Sequence, residues 1–281
     1  MDYPKKLVVV FMSVVILAAC GDKEQPVEKE QVEQRVVEEI NVATEATAFR
    51  DFGAAQMADF VADTQLLATL VQDGKLQEAQ KLYPLITMYY ERLLPVASEF
   101  KELDQAINGP MIDGKEADTT GFQRLAFGLF QEKTTTGYEE VAQQLANDVQ
   151  ALEKHLPIMD VSNNNVLTSA VAMLEDMVKN RLTAPSLAHA EVYAVKAQTE
   201  AVEEIVKIFT ARATAETVAT ATEAIAQLKE VLEYFEVGKE DYVNYSFFTA
   251  KQKEELTTAI QHVQSALIAI NETIKASERE N

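Results

Sequence analysis

The sequence predicts an all-α protein in which two four-helix bundles form one elongated body. Glycine and proline are scarce, with 9 and 7 residues in a chain of 281, and no proline follows Pro185. The chain therefore has few of the turns that sheet architectures require. Its composition, 47% hydrophobic and 25% charged, is that of a folded globular protein. Apolar residues recur in steps of three and four along most of the chain, which is the period of amphipathic helices.

Four helices are expected in the first bundle, residues 45–157. The apolar stripes place these helices at 49–71, 76–100, 122–131 and 138–156. The first should end at the helix-stop pair Asp73-Gly74, and Pro84 and Pro95 should bend or divide the second. The segment 101–120 is rich in turn residues, so it is expected to be a long connecting loop.

Four more helices are expected in the second bundle, residues 158–281. Apolar stripes mark these helices at 166–178, 187–209, 218–235 and 256–274. The aromatic segment 242–248 precedes Thr249, a favourable N-cap residue, and is expected to be a loop over one bundle end.

The N-terminus has the pattern of a secreted lipoprotein. Lys5 and Lys6 precede an apolar run at 7–19, which is the length of a signal-peptide core and short for a membrane-spanning helix. The run ends in the letters LAACG, which resemble the bacterial lipobox, so Cys20 is expected to carry a diacylglyceryl thioether after residues 1–19 are removed. Attached acyl chains would hold the protein at the cell membrane on its extracytoplasmic side. Residues 20–44 are then a lipidated cysteine and a charged spacer.

The charge balance excludes nucleic acid as a partner. The chain has 25 Lys and Arg against 45 Asp and Glu, a formal net charge of -20. Nucleic-acid-binding proteins instead carry basic patches that neutralise phosphates. The acidic surface is consistent either with ordinary solvated helix faces or with a raised local concentration of cations.

Catalysis is not expected. The lone cysteine is assigned to the lipid, and the sequence contains neither a nucleophile elbow nor a His-Glu-x-x-His zinc motif. His155 and His262 have no metal ligand three or four residues away on their helices. No cofactor is required by these patterns.

A second candidate patch consists of His189, Glu191 and Tyr193 at the start of a predicted helix. Residues two apart do not share a helix face. A helix-terminal histidine can also be held by local polar contacts, so a binding patch and a purely structural role both stay open.

Several sequence blocks resemble the EfeO/EfeM family, with its imelysin-like domain. The blocks are YYERLLPVA at 89–97, ELDQAIN at 102–108 and TGFQRLA at 120–126, in the family's order, and LAHAEVY at 187–193 is similar to a later family block. The likeness covers roughly residues 45–276. It implies an all-α, extracytoplasmic protein of an iron-uptake system, with the iron permease and peroxidase components of an Efe-type system as partners.

The resemblance also implies a metal site, from which this sequence departs. The His and Glu of the family's Gly-x-His-x-x-Glu motif correspond here to Gln123 and Ala126. The two glutamates of its Tyr-Glu-Arg-Ile-Glu-Pro motif correspond to Glu91 and Leu94, and the aspartate that ends its Asp-Pro-Ala-Ile-Asp turn corresponds to Asn108. Glu91, Asn108 and Gln123 are thus the remaining candidate metal ligands, for iron or another divalent cation. One carboxylate with two neutral amides is a poor iron site. The site is therefore expected to be weakened or lost.

The leading hypothesis is a lipid-anchored, non-enzymatic EfeO/EfeM-like protein associated with iron uptake. The alternative is a surface lipoprotein that binds a polysaccharide or a protein partner through a bundle groove. An anionic polysaccharide would need bridging cations to approach so acidic a body.

Overall fold

The computed structural model describes residues 40–111, 114–239 and 241–280. The predicted signal peptide, Cys20 and most of the predicted spacer lie outside these residues. The described residues belong to one compact unit. The predicted boundary between two bundles, after residue 157, stays a prediction.

The all-α prediction is confirmed. In the described residues the helices are, in chain order, α1 (Ala43–Ala55), α2 (Met57–Gln72), α3 (Leu76–Glu91), α4 (Lys101–Asn108), α5 (Gly121–Ala126), α6 (Glu139–His155), α7 (Val166–Asp176), α8 (Glu191–Phe209), α9 (Ala215–Glu233) and α10 (Ala250–Glu280). Two short strands, β1 (Glu236–Gly238) and β2 (Asp241–Tyr242), pair antiparallel. None of the helices in these described ranges combines the length and the apolarity that crossing a bilayer requires.

The apolar stripes of the helices meet in a continuous hydrophobic core. Steps of three and four place each stripe on one helix face, so burial of that face is the main stabilising contribution. The core already includes Ile40 and Val42, which are 6% and 3% exposed, and α1 begins at Ala43. The packed body thus starts slightly before residue 45.

The first predicted helix is two helices, α1 and α2. The N–H of Gln56 donates to the carbonyl of Gly53 at 3.3 Å, three residues back, which interrupts the α-helical ladder. Because both halves keep the same apolar period, the sequence pattern does not reveal this break.

The second predicted helix ends earlier than expected, at Glu91, where α3 stops. A 3-10 segment, Leu94–Phe100, follows, with Pro95 in its first turn. Pro95 cannot donate to an α-helical ladder and accounts for the division, whereas Pro84 lies inside α3 without ending it.

The prediction of a continuous loop at 101–120 is wrong for its first half, which is helix α4. Ile107 of this helix is fully buried, so tertiary packing stabilises a helix of only 8 residues. The aromatic segment at 242–248 also has regular structure, because Tyr242 is the last residue of β2 and a 3-10 turn covers Tyr245–Phe247.

Two helices widen into π-helical segments near their ends. α5 continues as Phe127–Glu132, and α7 continues as Met177–Arg181. The extra residue per turn in such segments changes the direction of the side chains that follow, and π turns are frequent at functional sites. Arg181 is the last residue of the second segment.

Candidate functional site

Glu91, Asn108 and Gln123 line one cavity of about 40 Å³. Three separate helices supply them. Glu91 ends α3, Asn108 ends α4, and Gln123 lies in the first turn of α5. The structure therefore brings together the three residues that the family resemblance selects.

A close approach between α4 and α5 positions the two amides. Gly121 has a φ of +63°, and a Cβ at this residue would lie 2.1 Å from the carbonyl oxygen of Ile107. Only glycine accommodates both the left-handed conformation and this contact. As a result the Gln123 amide nitrogen donates to the Asn108 side-chain oxygen at 3.0 Å.

Glu91 is buried and carries a bidentate ion pair with Arg181. The glutamate is 4% exposed. Arg181 Nη1 donates to Glu91 Oε2 at 2.8 Å, and Arg181 Nη2 donates to Glu91 Oε1 at 2.7 Å. The Gln198 amide nitrogen donates to the same Oε2 at 2.9 Å. Both oxygens of this carboxylate are therefore engaged by protein donors.

Arg181 stays charged in this setting. Burial lowers the pKa of its guanidinium, but the nearby carboxylates of Glu91 and Glu191 outweigh burial and raise the pKa above its ordinary value. The Arg181 side chain is 31% exposed, so its charge is also partly hydrated. A permanent cation thus sits against the one charged member of the predicted ligand set.

Glu191 lies beside this site rather than in a separate patch. It is 2% exposed, and its Oε1 accepts from the backbone N–H of Ser186 at 2.6 Å. Burial, then Glu91, raises the pKa of Tyr83, whose side chain lines the cavity, and Glu191 raises it further. The second carboxylate oxygen of Glu191, Oε2, is buried and has no hydrogen-bond partner among the described residues.

The other two members of the second predicted patch have different surroundings. The Tyr193 hydroxyl donates to Asp241 at 2.7 Å and accepts from the backbone N–H of Tyr242 at 3.2 Å, so it holds β2 against α8. His189 has a φ of +50°, and its carbonyl accepts from the N–H of Tyr245. His189, Glu191 and Tyr193 thus have different hydrogen-bond partners, and a binding role for this patch stays a prediction.

Sequence analysis missed two residues of the site, Arg181 and Gln198. Gln198 had a usable signal, because it is a polar residue on the buried, apolar face of α8. Arg181 had none, because its approach to Glu91 depends on the π-helical end of α7.

The charged ligands that a tight metal centre needs are sparse. Among residues 40–111, 114–239 and 241–280, no group of three or more His, Cys, Asp and Glu side chains is arranged to hold a metal ion. The two histidines outside the patch, His155 and His262, are exposed on α6 and α10.

Comparisons with known proteins give matches to iron-uptake components. No family model matches the chain. The chain is 28% identical over 167 residues to the iron uptake system component EfeM of Pseudomonas syringae pv. syringae strain B728a, across 57% of this chain and 59% of that protein. It is 29% identical over 168 residues to the iron uptake system component EfeO of Escherichia coli strain K12, across 58% of this chain and 45% of that protein.

A third relative is matched over more of its length. The chain is 25% identical over 218 residues to an Efem/EfeO family lipoprotein of Staphylococcus haemolyticus strain JCSC1435, across 73% of this chain and 76% of that protein. The match thus spans about half the length of the first two relatives and three quarters of the third.

Proposed function

From its similarity to the EfeM and EfeO proteins, we propose that this chain is a member of the EfeO/EfeM family and a non-enzymatic, extracytoplasmic component of an iron-uptake system, held at the membrane by lipid on Cys20. We further propose that its metal site is weakened relative to that implied by the family resemblance. Its proposed partners are the membrane, through the lipid, and the permease and peroxidase components of an Efe-type system.

The engagement of Glu91 carries the proposal of a weakened site. Arg181 and Gln198 together donate three hydrogen bonds to this carboxylate. A metal cation at Glu91 would compete with these donors for the carboxylate, and the nearby guanidinium would repel it. Asn108 and Gln123 bond to each other, so their amides would also have to part.

The non-enzymatic proposal rests on the same site. The cavity is lined by amides, phenols and an ion pair, without a nucleophile and base in hydrogen-bond contact among the described residues that line it. A binding or scaffolding role fits such groups, because each can orient a ligand without reacting with it.

Calorimetry on the full chain tests the metal proposal. The protein would carry Cys20→Ser, so that no lipid is attached, and would be titrated with Fe²⁺, Fe³⁺, Zn²⁺ and Cu²⁺ beside the Escherichia coli relative EfeO. We expect weaker binding than the relative shows, and no further loss on Glu91→Ala. Saturable binding as tight as the relative's, abolished by Glu91→Ala, would show that the site is intact.

Two measurements in cells test the remaining parts. We expect radiolabelled palmitate to be incorporated into the wild-type chain but not into Cys20→Ser. We expect deletion of the chain to reduce uptake of radioactive iron, with restoration by the wild-type chain and weaker restoration by Cys20→Ser. Unchanged iron uptake on deletion would contradict the association with iron uptake.

A further inference from the structure

The geometry points to Arg181 as a cation, supplied by the protein itself, that occupies a buried cluster of oxygen atoms. Once the guanidinium is removed, this cluster is able to bind a small, hard divalent cation. The cluster consists of Glu91, Glu191 and Gln198. This inference deepens the proposed function and rests on it, because it concerns the same site and gives the reason why that site would be weak.

The charges of the cluster are not balanced. Glu91 and Glu191 are 4% and 2% exposed, and the Arg181 guanidinium forms its ion pair with Glu91. Two carboxylates and one guanidinium leave one net negative charge. A buried carboxylate is costly unless a positive charge or hydrogen-bond donors compensate it. Removal of Arg181 would therefore leave two buried carboxylates that need another cation.

Two buried oxygens of the cluster are already without hydrogen-bond partners in the described part of the chain. They are Glu191 Oε2 and Gln198 Oε1. Gln198 is 1% exposed, and its amide nitrogen contacts Glu91, which places its free oxygen close to that carboxylate. Unpartnered buried acceptors of this kind favour a donor or a cation.

Helix α8 presents these oxygens on one face. Residues 191, 194 and 198 are separated by three and four positions, so their side chains lie along the same side of the helix. On this face Ala194 lies between Glu191 and Gln198. Ala194 lines the cavity, and its methyl group takes little space. A cation at this face would have carboxylate and amide oxygens within reach from α3 and α8.

The donor chemistry selects the class of cation. Carboxylate and amide oxygens suit hard ions such as Mg²⁺, Ca²⁺ and Mn²⁺, whereas Cu²⁺ and Zn²⁺ prefer imidazole or thiolate. No imidazole or thiol is among the described side chains that line the cavity. The net negative charge also disfavours an anionic ligand.

Mn²⁺ is the probe for this inference, because its electron paramagnetic resonance signal reports free and bound ion directly. The chain carrying Cys20→Ser would be titrated as wild type, Arg181→Gln, and Arg181→Gln with Glu191→Gln. Arg92→Gln is the matched control, since it removes a guanidinium from a different ion pair, with Glu200 at 2.6 Å. We expect Arg181→Gln to bind Mn²⁺ at least about tenfold more tightly than wild type, because the repelling charge is gone. The double variant and the control should bind as weakly as wild type.

The outcomes separate this inference from the proposed function. An Arg181→Gln chain with native helical circular dichroism and no gain in Mn²⁺ binding overturns the role of Arg181 and leaves the weak-site proposal standing. Tight iron binding by the wild-type chain, dependent on Glu91, overturns the weak-site proposal instead. If the Arg181→Gln chain is unfolded in the absence of metal, the inference requires that added Mn²⁺ restores its helical circular dichroism signal. Failure to restore it, together with a folded Arg181→Met chain that binds no Mn²⁺, also overturns it.

Discussion

Removal of the Glu91 carboxylate should destabilise the fold far more than removal of an exposed carboxylate. In Glu91→Ala, Arg181 loses its bidentate partner and Gln198, which is 1% exposed, loses its acceptor. Breaking a fully buried ion pair costs about 3–5 kcal/mol. Arg181 is 31% exposed, so water would recover part of this loss. We expect the free energy of unfolding to fall by about 2–4 kcal/mol.

Urea denaturation followed by circular dichroism at 222 nm, a wavelength that reports helix, measures this change. Glu255→Ala is the control, because Glu255 pairs with Lys251 at 3.2 Å while their side chains are 51% and 84% exposed. Such an exposed pair within one helix contributes about 0.3–0.5 kcal/mol. Equal midpoints for the two variants, with an unchanged m-value, would refute the energetic argument for the Glu91 pair.

A double variant separates the ion pair from the packing around it. Glu91→Leu with Arg181→Met removes both charges and keeps most of the side-chain volume. Replacement of a buried ion pair by apolar residues is often neutral or stabilising. We therefore expect the double variant to be more stable than Glu91→Ala. A double variant that is less stable than Glu91→Ala would contradict this expectation. It would mean that the Arg181 guanidinium compensates the charge of Glu191 as much as that of Glu91.

The remaining predictions concern the supports of the site. Gly121→Ala should destabilise the chain by more than Gly137→Ala, as measured by urea denaturation. Both glycines have a positive φ, and a side chain in that conformation costs about 1–2 kcal/mol. A Cβ at Gly121 would in addition collide with backbone atoms, whereas a Cβ at Gly137 would meet nothing within 4 Å. Thr214→Ala removes the side chain that caps α9 and should cost about 1 kcal/mol by the same assay. Burial, then the hydrogen bond to Asp241, raises the pKa of Tyr193 from 10.0 to about 12, so Asp241→Asn should lower that pKa in an ultraviolet titration. Because the raised pKa favours the neutral form in the folded state, the stability that Tyr193 contributes is complete below pH 10 and is lost as the pH rises to about 12. Loss of Thr214 without effect, or an unchanged Tyr193 titration in Asp241→Asn, would contradict these assignments.

Helix type and order could be predicted from the sequence because both depend on local periodicity. The stripes of α9 and α10 keep steps of three and four throughout, and each helix follows them. Helix ends were less predictable. α4 is too short to be stable alone and exists because Ile107 is buried by its neighbours.

The candidate site, too, has residues that could be predicted from the sequence and contacts that could not. Glu91, Asn108 and Gln123 could be selected because they stand at recognisable positions in family sequence blocks, and the fold brings them to one cavity. Nearness in sequence groups Tyr193 with His189 and Glu191. Its hydroxyl instead bonds to Asp241, 48 residues away, a contact that no periodic pattern encodes.

The sequence by itself determined the helical class, the acidic net charge and the resemblance to the EfeO/EfeM family, since these follow from composition, local period and short motifs. The tertiary structure alone decided what compensates the buried charge of Glu91. Its partners Arg181 and Gln198 are 90 and 107 residues away along the chain. The physical reason is that a buried carboxylate requires compensation but does not specify its source. A cation from solution and a guanidinium from the π-helical end of α7 meet the same electrostatic need, and only the folded arrangement distinguishes them.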